Sequence, residues 1–194
     1  MEGDKENESQ RLFIALPLPE LIKEEIGERM KAMRQKLPFQ RWVHPSDLHI
    51  TVQFLGDVQT ERITALHEAL QQSMLPLSAF EVEIHGLGVF GRSDKPSVLW
   101  AGIETDAELL AALHRSVIES TQPLGFEPET RPYRPHLTLA RRYEGSDAAS
   151  ELKEAVACMT GNEWSWMADH IMLYKSKFGS QPMYEAIGRY CMKD

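Results

Sequence analysis

Two short strings in this 194-residue chain share one pattern of residue types: His49-Ile50-Thr51-Val52 and His136-Leu137-Thr138-Leu139. Each reads His, aliphatic, Thr, aliphatic. Side chains on a β-strand alternate between faces. His49 and Thr51 therefore share one face, with Leu48, Ile50 and Val52 on the other; His136 and Thr138 likewise oppose Leu137 and Leu139. An imidazole titrates near neutral pH and can give or take a proton, and a threonine hydroxyl can donate to an anionic oxygen. Two such pairs facing one another supply an acid, a base and two donors, a set suited to proton transfer at a phosphate. One copy carries little weight, because Thr is a good strand former and a lone His is commonly structural. Two copies with the same aliphatic spacing outweigh that reading.

The elements that must hold these strings follow from apolar spacing. Arg11 to Leu16 reads as a buried strand, ended by Pro17 and Pro19, with Pro19 placed to open a helix. Ile22, Ile26, Met30, Met33 and Leu37 recur at helical spacing. Arg41 to Leu55 carries the first string as one strand turning at Gly56-Asp57, and Thr60 is placed to cap a helix with Ile63, Leu66 and Leu70 inward. Phe80 to Phe90 reads as a strand in which Gly86 and Gly88 mark bulges or a bend. Ser97 to Ile103 is another, and Asp106 caps a helix lined by Leu109, Leu110, Leu113 and Val117. A polar, Pro-rich connection from Gly125 to Pro135 leads into the second string. A weaker helix over Ser146 to Met159 has Leu152, Val156 and Met159 inward; strands over Ala168 to Lys175 and Met183 to Tyr190 follow. The order strand, helix, motif strand, helix thus occurs twice. It predicts an α+β fold of two similar interlocked lobes, each a mostly antiparallel sheet with helices on its outer face, around a central cleft with pseudo-two-fold symmetry. No Gly/Ser-rich linker divides the halves, so residues 11–194 form a single bilobal domain after a disordered acidic tail over residues 1–10.

A hydrophobic share of 42% and a charged share of 26% are ordinary for a globular protein. The net charge of −8 argues against a broad basic surface for sequence-independent nucleic-acid binding. An anionic ligand must meet a local positive pocket, for which Arg131, Arg134, Arg141 and Arg142 surround the second string and Arg41 precedes the first. No apolar run approaches the ~18–20 residues of a membrane span, and the polar start lacks a signal-peptide core. A cytoplasmic monomer with no membrane partner is the expectation. Cys158 and Cys191 are too few for a disulfide framework or a four-thiolate zinc site. Each string offers one imidazole where zinc takes three or four ligands, so no metal and no cofactor is expected. No Gly-x-Ser-x-Gly elbow is present. His44, His67, His85, His114 and His170 read as surface or structural residues.

With its flanks the pattern becomes specific. Arg11-Leu12-Phe13-Ile14-Ala15-Leu16, Leu48-His49-Ile50-Thr51-Val52 with Phe54-Leu55-Gly56-Asp57, and Arg134-Pro135-His136-Leu137-Thr138-Leu139-Ala140-Arg141 closely resemble the two-histidine phosphoesterase superfamily. Within it the chain is most similar to the RNA 2′,3′-cyclic phosphodiesterases, over nearly all residues after Gln10. The resemblance implies metal-independent hydrolysis of a 2′,3′-cyclic phosphate to a 2′-phosphomonoester. His136 would activate water, His49 would protonate the 3′ oxygen, and Thr51, Thr138 and Arg141 would bind phosphate. Strict alternation puts Arg142 on the His136 face instead, and a bulge or strand end after Leu139 would reconcile the two. Gln53 stands where a small or aliphatic residue is expected, a departure placed at the cleft floor. Phe13, Trp42 and Tyr133 are open choices for an aromatic that stacks on a base. The implied partners are RNA ends or nucleotides bearing 2′,3′-cyclic phosphate. The same residues would serve a 2′–5′ RNA ligase or a phosphodiesterase acting on another 2′-linked nucleotide, and a non-catalytic nucleotide-binding module of the same fold stands beside them.

Overall fold

Leu12, Ile14 and Leu16 recur every second residue and are almost wholly buried, which makes Ser9–Pro17 a core strand, β1. The structure, a computed structural model, describes residues 8–159 and 164–193. After β1 come α1 (Glu20–Arg34), β2 (Phe39–Trp42), β3 (His49–Gln59), α2 (Ile63–Met74), β4 (Phe80–Gly91) and β5 (Pro96–Thr105). They are followed by α3 (Ala107–Thr121), β6 (Leu137–Tyr143), α4 (Ala148–Met159), β7 (Trp164–Ala168), β8 (His170–Ser176) and β9 (Tyr184–Cys191).

The nine strands form one sheet in the order β7-β4-β5-β6-β3-β1-β8-β9, with β2 also paired to β6. All pairings between these strands are antiparallel. The fold is α+β, a curled sheet with helices at its periphery. Three helices turn an apolar stripe inward: Ile22, Ile26, Met30 and Met33 from α1, Leu66, Leu70 and Met74 from α2, and Leu110, Leu113 and Val117 from α3. These residues pack with Leu12, Ile14, Leu16, Ile50, Val52, Leu99, Leu137 and Leu139 in one core. Asp106 caps α3 through its side chain, accepting from the Glu108 and Leu109 N–H groups at 2.8 and 3.1 Å. Among the described residues no helix is long and apolar enough to cross a membrane.

Several elements depart from the sequence reading. Arg41 to Leu55 is not one strand, because a 3₁₀ turn at Pro45–Asp47 separates β2 from β3. Gly27 of α1 lets that turn sit close, since a Cβ there would lie 2.8 Å from Pro45 Cγ. β3 does not turn at Gly56-Asp57 but runs on to Gln59, paired with β1 throughout. Thr60 does not cap a helix; its hydroxyl donates to the Glu8 carbonyl, and α2 is entered through a 3₁₀ turn at Thr60–Arg62. Leu109 is exposed while Leu110 takes the inward place on α3. Gly86 does mark a bulge: its φ is +61°, and the β4–β5 register shifts between His85 and Leu87. β7 was not anticipated, although Trp164 and Ala168 alternate inward around Trp166. Of the expected acidic tail, residues 1–7 lie outside the described residues, and Ser9 and Gln10 already belong to β1. The side chains of Val156 and Cys158 also lie outside them.

Candidate active site

β3 meets β6 at a single register pair, Ile50 with Leu137. Continuing the antiparallel register by one residue each way sets His49 against Thr138 and Thr51 against His136. All four lie on the face opposite the buried Ile50 and Leu137. The two strings thus cross as a square in which each histidine faces the other string's threonine.

The two rings are held alike. His49 Nδ1 donates to the Asp47 carbonyl oxygen at 2.7 Å, and His136 Nδ1 donates to the Arg134 carbonyl oxygen at 2.7 Å. A carbonyl can only accept, so Nδ1 carries the proton in both rings and Nε2 is left for chemistry. Thr51 Oγ1 lies 3.1 Å from His49 Nε2 and donates to it when the ring is neutral. Asp47, which ends the Pro45–Asp47 turn, is buried; its carboxylate accepts from the Met183 N–H at 2.8 Å and the Tyr184 N–H at 3.0 Å.

Their surroundings differ. The His49 ring packs against Phe13, Tyr184 and Tyr174, with centroids 4.8, 5.3 and 6.1 Å away. His136 has Phe90 edge-on at 4.8 Å and Trp100 at 6.4 Å. Burial pushes the His49 imidazole down from 6.5 to about 4. The Asp47 carbonyl and charge oppose that fall, and the positive charges of Arg141 and Lys23 add to it. In the free protein His49 is therefore neutral at pH 7. Burial also pushes the Tyr174 hydroxyl up to about 12 and raises Tyr184, so both stay protonated donors.

A bulge decides where Arg141 points. Trp100 pairs with Thr138 and Leu99 with Ala140, which leaves Leu139 as the extra residue on β6. Arg141, paired with Val98, thereby returns to the Thr138 face, and its charge reaches His49 and Tyr184 across the β3–β6 junction. Arg41 stands directly opposite Arg141 on β2. Arg142 carries a left-handed backbone at φ +61°. A second bulge, at Val52, pairs Gln53 with Ile14 and turns it to the helix side. There it accepts from Thr121 Oγ1 at 2.8 Å, so the expectation that Gln53 shapes the cleft floor does not hold.

The three aromatics considered for base stacking are otherwise engaged. Phe13 is buried against His49, Tyr174 and Tyr184. Trp42 packs on Phe39. Tyr133 stacks on His114 at 4.0 Å, and its hydroxyl donates to the Thr51 carbonyl at 3.0 Å. Phe54, 55% exposed and in contact with Phe13 at 6.0 Å, is the ring beside the site with an open face. Sequence reasoning missed Phe90, Trp100, Tyr174, Tyr184, Phe54 and Asp47. Alternation along Ser97 to Ile103 would have placed Trp100 on the Thr138 side, whereas nothing local marks Tyr174 or Tyr184. Of the other histidines, His67 bonds the Tyr190 hydroxyl at 2.6 Å, His44 caps the Pro45 turn and His170 pairs with Asp169. Among the described residues no three His, Cys, Asp or Glu side chains gather as a metal-binding group.

Comparison with known proteins gives consistent likenesses. The family model of the 2′-5′ RNA ligase superfamily matches residues 22–178. An RNA 2′,3′-cyclic phosphodiesterase of Bacillus subtilis is 33% identical over 178 residues, covering 92% of this chain and 94% of the relative. One of Geobacillus stearothermophilus is 34% identical over 92% of this chain, which spans only 56% of that longer relative. The crystal structure of E. coli LigT complexed with 3′-AMP superposes with a TM-score of 0.76 at 25% identity, over 96% of this chain and 100% of the other.

Proposed function

This chain belongs to the 2′-5′ RNA ligase superfamily, and on that premise we propose that it is an RNA 2′,3′-cyclic phosphodiesterase that yields 2′-phosphomonoesters. The observation that carries the reading is the square of His49, Thr51, His136 and Thr138, with each Nδ1 proton committed to a main-chain carbonyl. His136 Nε2 takes a proton from water, whose oxygen attacks phosphorus. The bond from phosphorus to the 3′ oxygen breaks as His49 Nε2 gives that oxygen a proton. Thr51 and Thr138 donate to the non-bridging oxygens, where charge builds, and Arg141 faces the same oxygens. Because His49 is neutral in the free protein, the negative charge of the bound phosphate must raise its proton affinity before it acts as the acid. Two imidazoles supply both proton transfers, so the reading calls for no metal.

The two lobes and their pseudo-two-fold axis belong to the same proposal. The runs β7-β4-β5-β6 and β3-β1-β8-β9 meet at the motif strands, and β5 flanks β6 as β1 flanks β3. α1 and α3 then take corresponding places between those strands in the chain. The open ring of Phe54 suits a nucleobase, and the likeness to a LigT structure holding 3′-AMP supports a nucleotide in this fold. Arg41 beside Arg141 extends the positive patch toward further phosphates of an RNA end.

The test is incubation with a nucleoside 2′,3′-cyclic phosphate in the presence of a chelator, with the product isomer identified. The expected result is a 2′-phosphate, with turnover lowered about 10²–10⁴-fold by His49→Ala and by His136→Ala. Full activity in both variants, or turnover only when metal is supplied, refutes the mechanism.

A further inference from the structure

We propose that Asp47 is a positioning residue that holds His49 by its main chain and the aromatic wall over His49 by its side chain. The inference rests on the acid role given to His49 above. Asp47 is only 6% exposed, yet among the described residues no ion pair joins it. Its two oxygens are instead taken by main-chain donors, Oδ2 by Met183 N–H and Oδ1 by Tyr184 N–H. The Asp47 charge bears on the imidazole two residues away, the one that must become positive.

The connection spans the sheet. Asp47 leads into β3, whereas Tyr184 opens β9, and β1 and β8 lie between those strands. The carboxylate bridges them on the site face and seats the Tyr184 ring edge-on against both His49, at 5.3 Å, and Phe13, at 4.7 Å. Meanwhile the Asp47 carbonyl accepts from the His49 Nδ1–H, so ring orientation, tautomer and wall all depend on one residue. Outer partners of this kind orient a reactive imidazole and raise its basicity. The groups facing His49 are Asp47 from the turn, Lys23 with Glu20 from α1, Arg141 from β6, Tyr174 from β8 and Tyr184 from β9, with Thr138 and His136 across the junction. Asp47 is the carboxylate among them whose charge bears on the ring and favours the imidazolium, against two cations that disfavour it.

The experiment follows the His49 ring protons by NMR across pH in the unliganded full chain, so it reads the proposal whether or not cyclic phosphates are turned over. Asp47→Asn keeps the shape and removes the charge, and His49 should titrate about one pH unit lower. Asp47→Glu keeps the charge but displaces it, and should restore most of the titration. With a cyclic phosphate, both variants should lose about 10–100-fold in kcat with a smaller change in KM. An unchanged His49 titration in a folded Asp47→Asn protein overturns the proposal. A wild-type measurement guards against misfolding: the Met183 and Tyr184 amides should resist hydrogen exchange, and exchange at the rate of open loop amides overturns the bridge directly. If His49 titrates as expected but no nucleoside 2′,3′-cyclic phosphate is cleaved, the enzymatic reading fails and the positioning role stands.

Discussion

The depressed proton affinity of His49 has a consequence for stability that can be measured without substrate. The perturbation is His49→Gln, which removes the titrating group while keeping an amide able to donate to the Asp47 carbonyl. In the wild-type fold His49 is held down from 6.5 to about 4, and in the unfolded chain it returns to its ordinary value. As pH falls from about 6.5, the unfolded chain takes up a proton that the native state refuses. The folded protein is thus favoured by the neutral ring above 6.5 and loses that advantage progressively down to about 4. At 1.36 kcal/mol per pH unit, the loss between pH 7 and pH 4 is about 3 kcal/mol. The glutamine variant lacks the effect, and all other titrations are common to both proteins. Urea unfolding of the pair at half-unit steps from pH 7.5 to pH 3.5 should show the wild type losing about 3 kcal/mol relative to the variant. With a urea slope of roughly 1–3 kcal/mol per molar, the midpoints move apart by 1 M or more. Saturating inorganic phosphate should narrow the gap, because an anion beside Nε2 raises the affinity of the ring for its proton. Curves that stay parallel would show that His49 is not desolvated as described, and the need for phosphate to recharge it would fall with them.

Three further outcomes follow from the geometry. Gly88→Ala would put a Cβ 2.2 Å from the Trp100 ring, so thermal unfolding should show a loss of about 1–3 kcal/mol, and turnover should drop because Trp100 is driven toward His136. Asp106→Ala removes the acceptor for two N–H groups at the start of α3; denaturant unfolding should show a loss of about 1 kcal/mol with activity unchanged. Arg41→Gln should leave the melting temperature alone but flatten the salt dependence of binding to an oligonucleotide ending in a cyclic phosphate, by about 0.7 in the log–log slope.

The faces of the two motif strings were legible because a strand repeats every two residues. Leu48, Ile50, Val52, Leu137 and Leu139 are buried, as that period requires, while His49, Thr51, His136 and Thr138 share the other side. Irregularities were harder, since a bulge is defined by its partner strand. Whether Arg141 or Arg142 joins Thr138 depends on Leu139 having no counterpart on β5, and the single chain does not reveal that. Gln53 shows the same thing in reverse: the extra Val52 sends it to Thr121 on α3 instead of to the site. Asp47 escaped notice because its partners are main-chain amides of Met183 and Tyr184, which carry no residue signature. Tyr174 and Tyr184 come from β8 and β9, and only the strand order brings them over His49.

β3 and β6 share one register pair, Ile50 with Leu137, so the main-chain ladder is at its shortest where the two strings meet. Other bonds brace the joint, like bolts set around a short weld. Val43 N–H donates to the Leu139 carbonyl, the Tyr133 hydroxyl to the Thr51 carbonyl and the Thr121 hydroxyl to Gln53 Oε1, while β2 pairs with β6. The spacing of His49, Thr51, His136 and Thr138 therefore depends on these braces as well as on the strands that carry them.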